Sequence, residues 1–581
     1  MLQLLYLLVS HPLIRLTAIL LLSLYSIYRY YQSKCNYWEK QGVQTASVGL
    51  WTRLTKPGHK WEQDLYRRYG KCFGIYELTQ PVLYLSDPVL IRDVLVKDFH
   101  SFVDRRIVGT GTDPVLDNMV GNLHGDQWKR VRSLMTPSFS SGKIRQMLPL
   151  IGECLQTMDK NLRSVSTAVA ANTTDGSSLL LQEGSDMKRL FGAYSMEVII
   201  QIAFGTKVDA LFDEDNPIIR NVRKFFSGYL NLRLLALFFM PSVVQWIKMK
   251  IFDLKVTQFF RDFILKIIED RSSSSRRQQQ QQRDLKTGDN IIKKRVDFLQ
   301  LMLDSISTDT TDNKDIITDK VDITDSSDIN SQEKYRQLSS TSMKTSVKSL
   351  SIDELISQCV LFFVAGYETT ATVLSITTHL LAKNPVVQEK LYNEINEYFK
   401  HNGQKHIDDD DDDNDDHYFK HNSQKDVDYD LLFSLKYLDA VIMESMRLYP
   451  AVPFLERQAS DDYTLGSTGI QIRKGQMVRI PIYAMHHDEA NFPGADQFRP
   501  ERFLAANNNV HHKQHDPYVY LPFGAGPRNC LGMRLAQIEA KLALAYAVNK
   551  YRFIDIGKPI EIVDSFIIMT PKKVMVRVEK R

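Results

Sequence analysis

The chain has 581 residues, of which 43% are hydrophobic and 24% are charged. Its 27 glycines and 20 prolines are too few for a collagenous or wholly disordered protein. Five scattered cysteines without a CxxC pair exclude a disulfide-dense secreted scaffold and argue against a zinc ribbon or an iron–sulfur cluster. The net charge of +4 includes eight aspartates between residues 408 and 416, so the rest of the chain is basic. A basic body suits an anionic membrane surface or an acidic protein partner, and no Lys/Arg-packed segment indicates nucleic acid.

The first 31 residues predict a membrane anchor. Residues 2–9 and 16–27 are mostly apolar, and tyrosines near residue 30 match the aromatic belt of a membrane interface. Basic residues then follow at Arg29, Lys34 and Lys40. By the positive-inside rule, the body of the chain, residues 32–581, is expected to lie in the cytosol. A cleaved signal peptide is the alternative, but no small-x-small cleavage site follows the apolar run.

Three segments of the body read as disordered inserts, at residues 272–295, 305–348 and 400–430. They are rich in Ser, Gln, Thr, Asp and Lys, a composition that buries too little apolar surface to offset chain entropy. The third insert overlaps a near-identical octet, YFKHNGQK and YFKHNSQK, that occurs twice 20 residues apart. This is a local duplication and not a solenoid repeat.

The longest helix signal runs from residue 351 to residue 383. Ser351 and Glu354 form a capping-box pattern, and Asn384–Pro385 predicts the helix end. The segment is apolar nearly all round, which predicts a buried central helix and not a second membrane span. A polar Gly-Tyr-Glu-Thr-Thr patch at residues 366–370 interrupts it. Such local inconsistencies favour a functional site.

Two further sequence patterns indicate residues with a functional or structural role. Glu444 and Arg447 stand at i,i+3 on one predicted helix face, and Arg502 follows in the sequence FRPERF. The stretch FGAGPRNCLG at residues 523–532 places Cys530 after a glycine-rich turn and before an apolar helix. A helix N-terminus stabilises a thiolate, and the glycines at 524, 526 and 532 allow close backbone approach. A small core cysteine is the alternative reading.

Together these residues resemble the cytochrome P450 monooxygenases. The family's F-x-x-G-x-R-x-C-x-G motif is matched within residues 523–532, and its Ala-Gly-x-Glu-Thr motif within residues 365–369. Its ExxR motif and later arginine are matched by Glu444, Arg447 and Arg502. Stretches such as WKRVRSLMTPSFSSGKIRQM, from Trp128, look most like the animal family 3 group of drug- and steroid-oxidising enzymes and their thromboxane synthase-like relatives. The chain departs from the family in one place, since residues 39–52 lack the usual proline-rich hinge.

The resemblance implies a mainly α (α+β) fold, with a large helical domain, a small β region and an N-terminal anchor. Strands are expected around residues 73–77 and 82–85. Haem b is the implied cofactor, and Cys530 as thiolate is its implied axial iron ligand. Phe523 is expected to shield the sulfur, and Gly532 to tune it through backbone N–H groups. Five residues are implied partners of the two haem propionates: Arg105, Trp128, Arg132, Arg457 and Arg528.

On the opposite side of the haem, the resemblance implies that Thr369 and Glu368 relay protons to bound oxygen. Gly366 is expected to let the helix open so that dioxygen or water fits against it. For Thr369 the alternative is a hydroxyl bonded back to its own helix, without a role. Glu444, Arg447 and Arg502 are implied to be a structural, buried charge cluster. The expected substrate pocket comprises Phe363, Val364, Ala365 and Val452, with core packing an equal alternative for Phe363.

The implied reaction inserts one oxygen atom from O2 into a lipophilic xenobiotic, steroid or fatty acid. NADPH would supply the electrons through NADPH–cytochrome P450 reductase, with cytochrome b5 as a second candidate partner. The reductase is expected at a basic face that includes Lys129, Arg130 and Arg534. The endoplasmic reticulum membrane is the implied location, and the apolar residues 225–252 are expected to dip into it. The alternatives are a haem-thiolate isomerase of endoperoxides or hydroperoxides, which tends to lose the Glu-Thr pair, and a non-catalytic haem- or steroid-binding membrane protein.

Overall fold

The structure is a computed structural model. It describes residues 12–77, 80–106, 113–171, 184–207, 216–227, 244, 246–249, 254–284, 297–307, 349–403, 434–504, 516–565 and 568–581. Most of the second and third predicted inserts, and most of the apolar segment 225–252, lie outside these residues. So does the start of the predicted anchor, residues 1–11.

Helices dominate the described residues. Their bounds are α1 Pro12–Lys34, α2 Leu50–Thr55, α3 Gly58–Tyr69, α4 Pro88–Arg92, α5 Pro114–Asp117, α6 Gly125–Met135, α7 Ser141–Ala171, α8 Met187–Phe204, α9 Pro217–Ser227, α10 Leu254–Asp284, α11 Phe298–Ser307, α12 Ile352–Lys383, α13 Pro385–Gly403, α14 Lys436–Leu448, α15 Ile482–His486 and α16 Met533–Lys550. The predominance of helix with small sheets agrees with the predicted mainly α fold.

The strands form small sheets. Their bounds are β1 Cys72–Glu77, β2 Gln80–Leu85, β3 Ser185–Asp186, β4 Leu455–Gln458, β5 Tyr463–Thr464, β6 Gln471–Ile472, β7 Met477–Ile480, β8 Tyr551–Ile554, β9 Ile562–Ser565, β10 Ile568–Pro571 and β11 Met575–Lys580. The largest sheet has the order β1-β2-β7-β4, antiparallel except where β2 runs parallel to β7. A second sheet has the order β3-β11-β8, and β9 pairs with β10 in a hairpin. The two strands expected near residues 73–77 and 82–85 are confirmed as β1 and β2.

The central helix α12 is confirmed with its cap. The Ser351 hydroxyl accepts the Glu354 N–H at 3.2 Å, and the Glu354 carboxylate accepts the Ser351 N–H at 2.9 Å. Within the described residues, α12 is the one helix long and apolar enough to cross a membrane, but two-thirds of its most apolar stretch is buried inside the protein. It is therefore a core helix, and α8 packs along it. A Cβ on Gly366 would stand 2.3 Å from the Ile199 side chain of α8, so the space beside this glycine is filled by the neighbouring helix and not open to a small molecule.

Two predicted segments differ from the structure at their edges. Helix α10 continues to Asp284, into the segment 272–295 expected to be disordered, because Gln and Arg propagate a helix that α10 has already nucleated. Similarly, α13 reaches Gly403 inside the segment 400–430. At the N-terminus, α1 spans the second half of the predicted anchor, but its apolar run is the short stretch Leu16–Ser26.

Candidate active site

The loop before α16 holds Cys530 in a turn that two glycines make possible. The Cys530 N–H donates to the Phe523 carbonyl at 2.9 Å and closes the loop. Gly524 and Gly526 have φ of +69° and +74°, in the left-handed region that favours glycine. A Cβ on Gly526 would stand 1.9 Å from the Leu95 carbonyl oxygen, so no other residue fits there. Gly532 differs, because its φ is −85° and a Cβ would meet its nearest neighbour at 3.9 Å; the expected close approach does not apply to it.

Cys530 lies two residues before Gly532, the N-cap of α16. Its side chain is accessible to solvent although protein surrounds it closely. Burial raises the pKa of the Cys530 thiol, while the Gly532 N–H and the charges of Arg132 and Arg105 act against this rise. The helix N-terminus and the two arginines therefore favour a thiolate, as the sequence predicts, but do not outweigh desolvation. A metal ion coordinated by Cys530 would outweigh the effect of desolvation, because metal coordination deprotonates a thiol outright.

Four arginines from distant parts of the chain converge near Cys530. Arg105 donates to the Arg528 carbonyl at 2.8 Å, and Arg132 donates to the Asn529 side chain at 3.0 Å. Arg457 projects from β4 and donates through Nη1 to the Glu456 carbonyl at 2.8 Å. The structure thus brings these four predicted residues to one place.

Trp128, from α6, lies in the same cluster. The Arg528 guanidinium stands over the Trp128 ring at 4.5 Å from its centre and donates to the Leu123 carbonyl. Trp128 is buried, so its ring forms a wall of the cluster and orients Arg528 by a cation–π contact.

Several buried guanidinium nitrogens of the arginine cluster have no hydrogen-bond acceptor among the described residues. Among the residues that the structure describes, no acceptor meets Nε and Nη2 of Arg457 or Nε and Nη1 of Arg528, and all four nitrogens are buried. Burial, reinforced by the charges of Arg105 and Arg528, lowers the pKa of Arg457 well below its usual range. Burial and the charge of Arg105 lower the pKa of Arg528 to about 9. Buried guanidinium groups that repel one another require anionic partners, and two propionate carboxylates match this need.

One face of α12 is open in the middle of the core. Ala365 is exposed and Thr369, four residues later on the same face, is half-buried. The Thr369 hydroxyl donates to the Ala365 carbonyl at 2.6 Å, so in this structure it is bonded back to its own helix. Glu368 is buried and does not share this face; its carboxylate binds Lys188 of α8 at 2.6 Å. The structure therefore separates the predicted Glu-Thr pair into two environments.

The predicted pocket residues are distributed unevenly around α12. Phe363 is fully buried and its ring packs 5.8 Å from that of Phe260, on the opposite side from Ala365. This position favours the core role for Phe363. Val364 is also buried, whereas Val452 lies half-buried in the loop that follows α14. Ala365 alone of the four shares the open face with Thr369.

Glu444, Arg447 and Arg502 form one buried network. Arg447 binds Glu444 through Nε and Nη2 at 2.8 and 2.9 Å, and Arg502 binds the same carboxylate at 3.0 Å. Arg447 also donates to the carbonyls of His486 and Gln497 at 2.7 and 3.1 Å. The pair Glu444–Arg447 is wholly buried and amply hydrogen-bonded, so it ties α14 to α15 and to the segment before Arg502.

The sequence patterns missed His486, which connects this network to the cysteine loop. Its Nδ1 contacts the Arg447 carbonyl at 3.2 Å, and its Nε2 accepts the Leu521 N–H at 3.2 Å. Burial lowers the pKa of His486 well below its usual range, so the ring is neutral and both nitrogens are used. No motif marks this histidine, because its partners are backbone groups.

The donor set fits a haem held by one cysteine. Within the described part of the chain, no cluster of three or more His, Cys, Asp or Glu side chains could bind a metal ion. An iron porphyrin bound here would take Cys530 as its ligand from the protein. The unpartnered arginine nitrogens would take the porphyrin carboxylates.

Comparisons with known proteins give a family match over most of the chain. A model of the cytochrome P450 family matches residues 46–326 and 314–578. Cytochrome P450 3A11 of Mus musculus is 32% identical over 545 residues, covering 92% of the chain and 90% of that protein. Cytochrome P450 3A6 of Oryctolagus cuniculus is 33% identical over 545 residues (91% and 89%), and cytochrome P450 3A5 of Homo sapiens is 32% identical over 512 residues (87% and 82%).

These matches confirm the resemblance to the animal family 3 group that the motifs predict. They extend over both the helical body and the cysteine loop, so they do not depend on a single motif. The chain belongs to the cytochrome P450 family and is a P450 monooxygenase.

Proposed function

We propose that the chain oxidises lipophilic organic molecules of the xenobiotic, steroid or fatty-acid classes with O2 and electrons from NADPH. The observation that carries this proposal is the convergence of Cys530 with four arginines, two of which, Arg457 and Arg528, have buried nitrogens without acceptors. Haem b, bound there, would supply the activation of O2 and the transfer of one oxygen atom to the substrate. The similar proteins named cytochrome P450 3A11 and cytochrome P450 3A5 support the same reaction class.

Cys530 would ligate the iron, and the loop around it would protect the sulfur. Phe523 is half-buried against the main core, and its carbonyl fixes the cysteine backbone. The Gly532 N–H points at the sulfur and withdraws charge from it. Arg457, Arg528, Arg105 and Arg132 would neutralise the two propionates by charge-assisted hydrogen bonds, and Trp128 would hold Arg528 in place.

On the opposite face, Ala365 and Thr369 would line the space for O2 and substrate. The Thr369 hydroxyl can leave its helix carbonyl and donate a proton toward that space, since a threonine side chain has more than one accessible rotamer in a helix. Val452, and the apolar side chains around it, would exclude water from the substrate. Glu368 would resupply the proton from the buried side of the helix.

The reductase and the membrane belong to the proposal as well. Lys129 and Arg534 are exposed near the cysteine loop and suit an acidic reductase, whereas Arg130 is engaged by Glu354 and the Ser349 carbonyl. Cytochrome b5 would use the same face. We place the protein on the endoplasmic reticulum membrane through α1, which exposes large apolar side chains that include Leu16, Leu21 and Tyr25.

A reconstituted turnover assay tests this proposal. The full-length protein and NADPH–cytochrome P450 reductase are placed in phospholipid vesicles with an alkoxycoumarin ether as probe. Oxygen insertion next to the ether oxygen releases a fluorescent hydroxycoumarin and an aldehyde. We expect product that requires NADPH, reductase and O2 together. Turnover of an organic hydroperoxide without NADPH, combined with no coumarin product, would instead assign the chain to the isomerases.

A further inference from the structure

A groove of about 820 Å³ opens where α3 meets the C-terminal ends of α12, α14 and α15. None of the residues predicted to bind haem, oxygen or substrate lines this groove, so it is separate from the candidate active site. Its volume is within the range of pockets that hold drug-sized molecules. The chemistry of its lining therefore indicates what kind of molecule it could bind.

Three cations line the groove. Lys60 and Arg67 belong to α3, Lys383 is the last residue of α12, and all three are exposed. Within the described part of the chain, none of the three forms an ion pair. The Lys60 ammonium donates to the Tyr483 hydroxyl at 2.9 Å and stands 5.2 Å from the centre of the Tyr483 ring. The lining contains one carboxylate, Asp496, so positive charge is in excess.

The groove also has an apolar lining. Leu380 and Leu448 are buried members of one hydrophobic cluster, and Tyr449 and Phe498 pack against that cluster while remaining partly exposed. All four side chains line the groove. A ligand that used only the three cations would leave this apolar surface in contact with water. The lining is therefore amphipathic, with separate places for a charged group and an apolar one.

An aromatic pair completes the lining. The rings of Tyr483 and His487 stack with their centres 4.0 Å apart, and His487 Nδ1 donates to the Tyr483 carbonyl at 2.9 Å. Burial lowers the pKa of His487 to about 4, so its ring is neutral at pH 7. The pair thus adds flat aromatic surface and no charge.

We infer that this groove binds a soluble organic anion in which a phosphate or sulfate monoester is joined to an apolar ring. Lys60, Arg67 and Lys383 would hold the anionic group by charge-assisted hydrogen bonds. The ring would pack on the aromatic and apolar lining. A neutral lipophilic molecule would leave the cations without partners, and a bare inorganic anion would leave the apolar lining uncovered. This inference goes beyond the proposed oxidation reaction and does not depend on it.

The backbone around the groove is fixed by the buried network of Glu444, Arg447 and Arg502. The carbonyl of Gln497, which lines the groove, accepts Arg447 Nη2 at 3.1 Å. Leu448 follows Arg447 directly in the chain, at the end of α14. Lining residues held by a buried network lose little freedom when a ligand binds, which lowers the free-energy cost of binding.

Isothermal titration calorimetry with 1-naphthyl phosphate tests this inference on the full-length, haem-loaded protein in a neutral detergent. The substrate pocket is first filled with excess alkoxycoumarin ether, so that the titration reports binding elsewhere. The groove variant combines Lys60→Gln and Arg67→Gln. The matched control combines Arg68→Gln and Lys71→Gln, which removes the same charge from exposed neighbours that do not line the groove.

We expect the parent to bind one molecule of 1-naphthyl phosphate and the groove variant to bind it about tenfold or more weakly, because two charge-assisted contacts are lost. The control should bind as the parent does, since salt at about 0.15 M screens the charges of more distant residues. Equal affinity in the groove variant and the control would overturn the inference, and so would a parent protein that does not bind the probe.

Two further titrations of the parent protein test the class of ligand. Inorganic phosphate should bind about tenfold or more weakly than 1-naphthyl phosphate, because it has no apolar surface to bury. Equal affinity for the two would contradict a ring-bearing ligand. Phosphatidylcholine vesicles that contain phosphatidic acid present the same phosphate monoester on a lipid, and we expect them not to displace the probe. Displacement by these vesicles, but not by pure phosphatidylcholine, would assign the groove to a membrane lipid and overturn the inference of a soluble ligand.

Discussion

Gly526 lies directly against the Leu95 carbonyl oxygen, where a Cβ at position 526 would approach to 1.9 Å. The obstacle is backbone, which cannot rotate aside as a side chain can. Gly526 also has φ of +74°, a conformation that side chains with a Cβ rarely adopt. The cysteine loop and the segment Asp93–Lys97 therefore fit together only if residue 526 is glycine, and the position of Cys530 depends on that fit.

We accordingly expect Gly526→Ala to prevent correct seating of Cys530. The haem content per protein, measured by absorbance after purification, should fall by about tenfold or more, since a shift of about 1 Å is enough to disable a site of this kind. Gly557→Ala is the matched control, because Gly557 has φ of +75° but open space around it. Gly557→Ala should lower the free energy of unfolding by about 1 kcal/mol through backbone strain alone and leave the haem content normal. Equal haem content in the two variants would contradict the account of the loop.

Arg457→Leu should have opposite effects on the empty and the haem-loaded protein. Without haem, the substitution removes a buried charge that other arginines repel, so the thermal midpoint should stay the same or rise. With haem, it removes a charge-assisted contact worth about 1.5–3 kcal/mol, so haem transfer to apomyoglobin should accelerate about 10- to 100-fold. Arg552→Leu, at a half-exposed arginine paired with Glu389, should change neither quantity. Unaltered haem transfer in Arg457→Leu would remove this residue from the propionate site.

Glu444→Ala should destabilise the fold without a direct effect on the haem ligand. It leaves Arg447 and Arg502 as buried cations without their shared carboxylate, a loss of about 3–5 kcal/mol in the free energy of unfolding. Urea unfolding measures this, with Glu561→Ala as control because Glu561 forms an exposed pair with Lys572. If the two variants were equally stable, the network would not have the structural role assigned to it.

Glu539 predicts a pH dependence of stability. This residue of α16 is buried near Ser195, and burial raises its pKa to about 8. The folded state thus binds its proton more tightly than the unfolded state. The stability that this provides is present below the unfolded pKa of about 4.5 and is lost as the pH rises through about 8. We expect the free energy of unfolding to fall by up to ~1.4 kcal/mol per pH unit between pH 5 and 8 from this group.

Glu539→Gln isolates that contribution. The amide has no proton to lose in this range. The free energy of unfolding of Glu539→Gln should therefore fall less steeply between pH 5 and 8 than that of the parent, by up to ~1.4 kcal/mol per pH unit. Unfolding by urea at half-unit pH steps provides the comparison with the parent protein. Curves of equal slope would mean that Glu539 has an ordinary pKa in the folded state.

The sequence was sufficient for features that local patterns encode. The capping box at Ser351 and the proline after Asn384 predicted α12 to within a residue, because caps and prolines act through neighbouring backbone groups. The pair Glu444–Arg447 follows from helix periodicity, and the structure joins it to Arg502. The extent of α10 was harder to predict, because low hydrophobicity argued for disorder while Gln and Arg propagate a helix.

Long-range partners were beyond the sequence patterns. Glu368 and Thr369 are neighbours in the chain, yet the helix turns them about 100° apart, and only the fold brings Lys188 and Thr570 to the glutamate. Resemblance suggested Arg105, Arg132, Arg457 and Arg528 one at a time. Their mutual repulsion, and the nitrogens that lack acceptors, appear only once the four guanidinium groups are placed together.

The central claim is that Cys530 supplies a thiolate to haem iron, and one spectrum tests it most directly. The carbon monoxide difference spectrum of the dithionite-reduced, haem-loaded protein is recorded beside that of Cys530→His. We predict a strongly red-shifted Soret band for the parent and its absence in the variant, because a thiolate donates more electron density to the iron than an imidazole does. Folded, haem-loaded parent protein without that shift would contradict both the ligand assignment and the oxidation chemistry built on it.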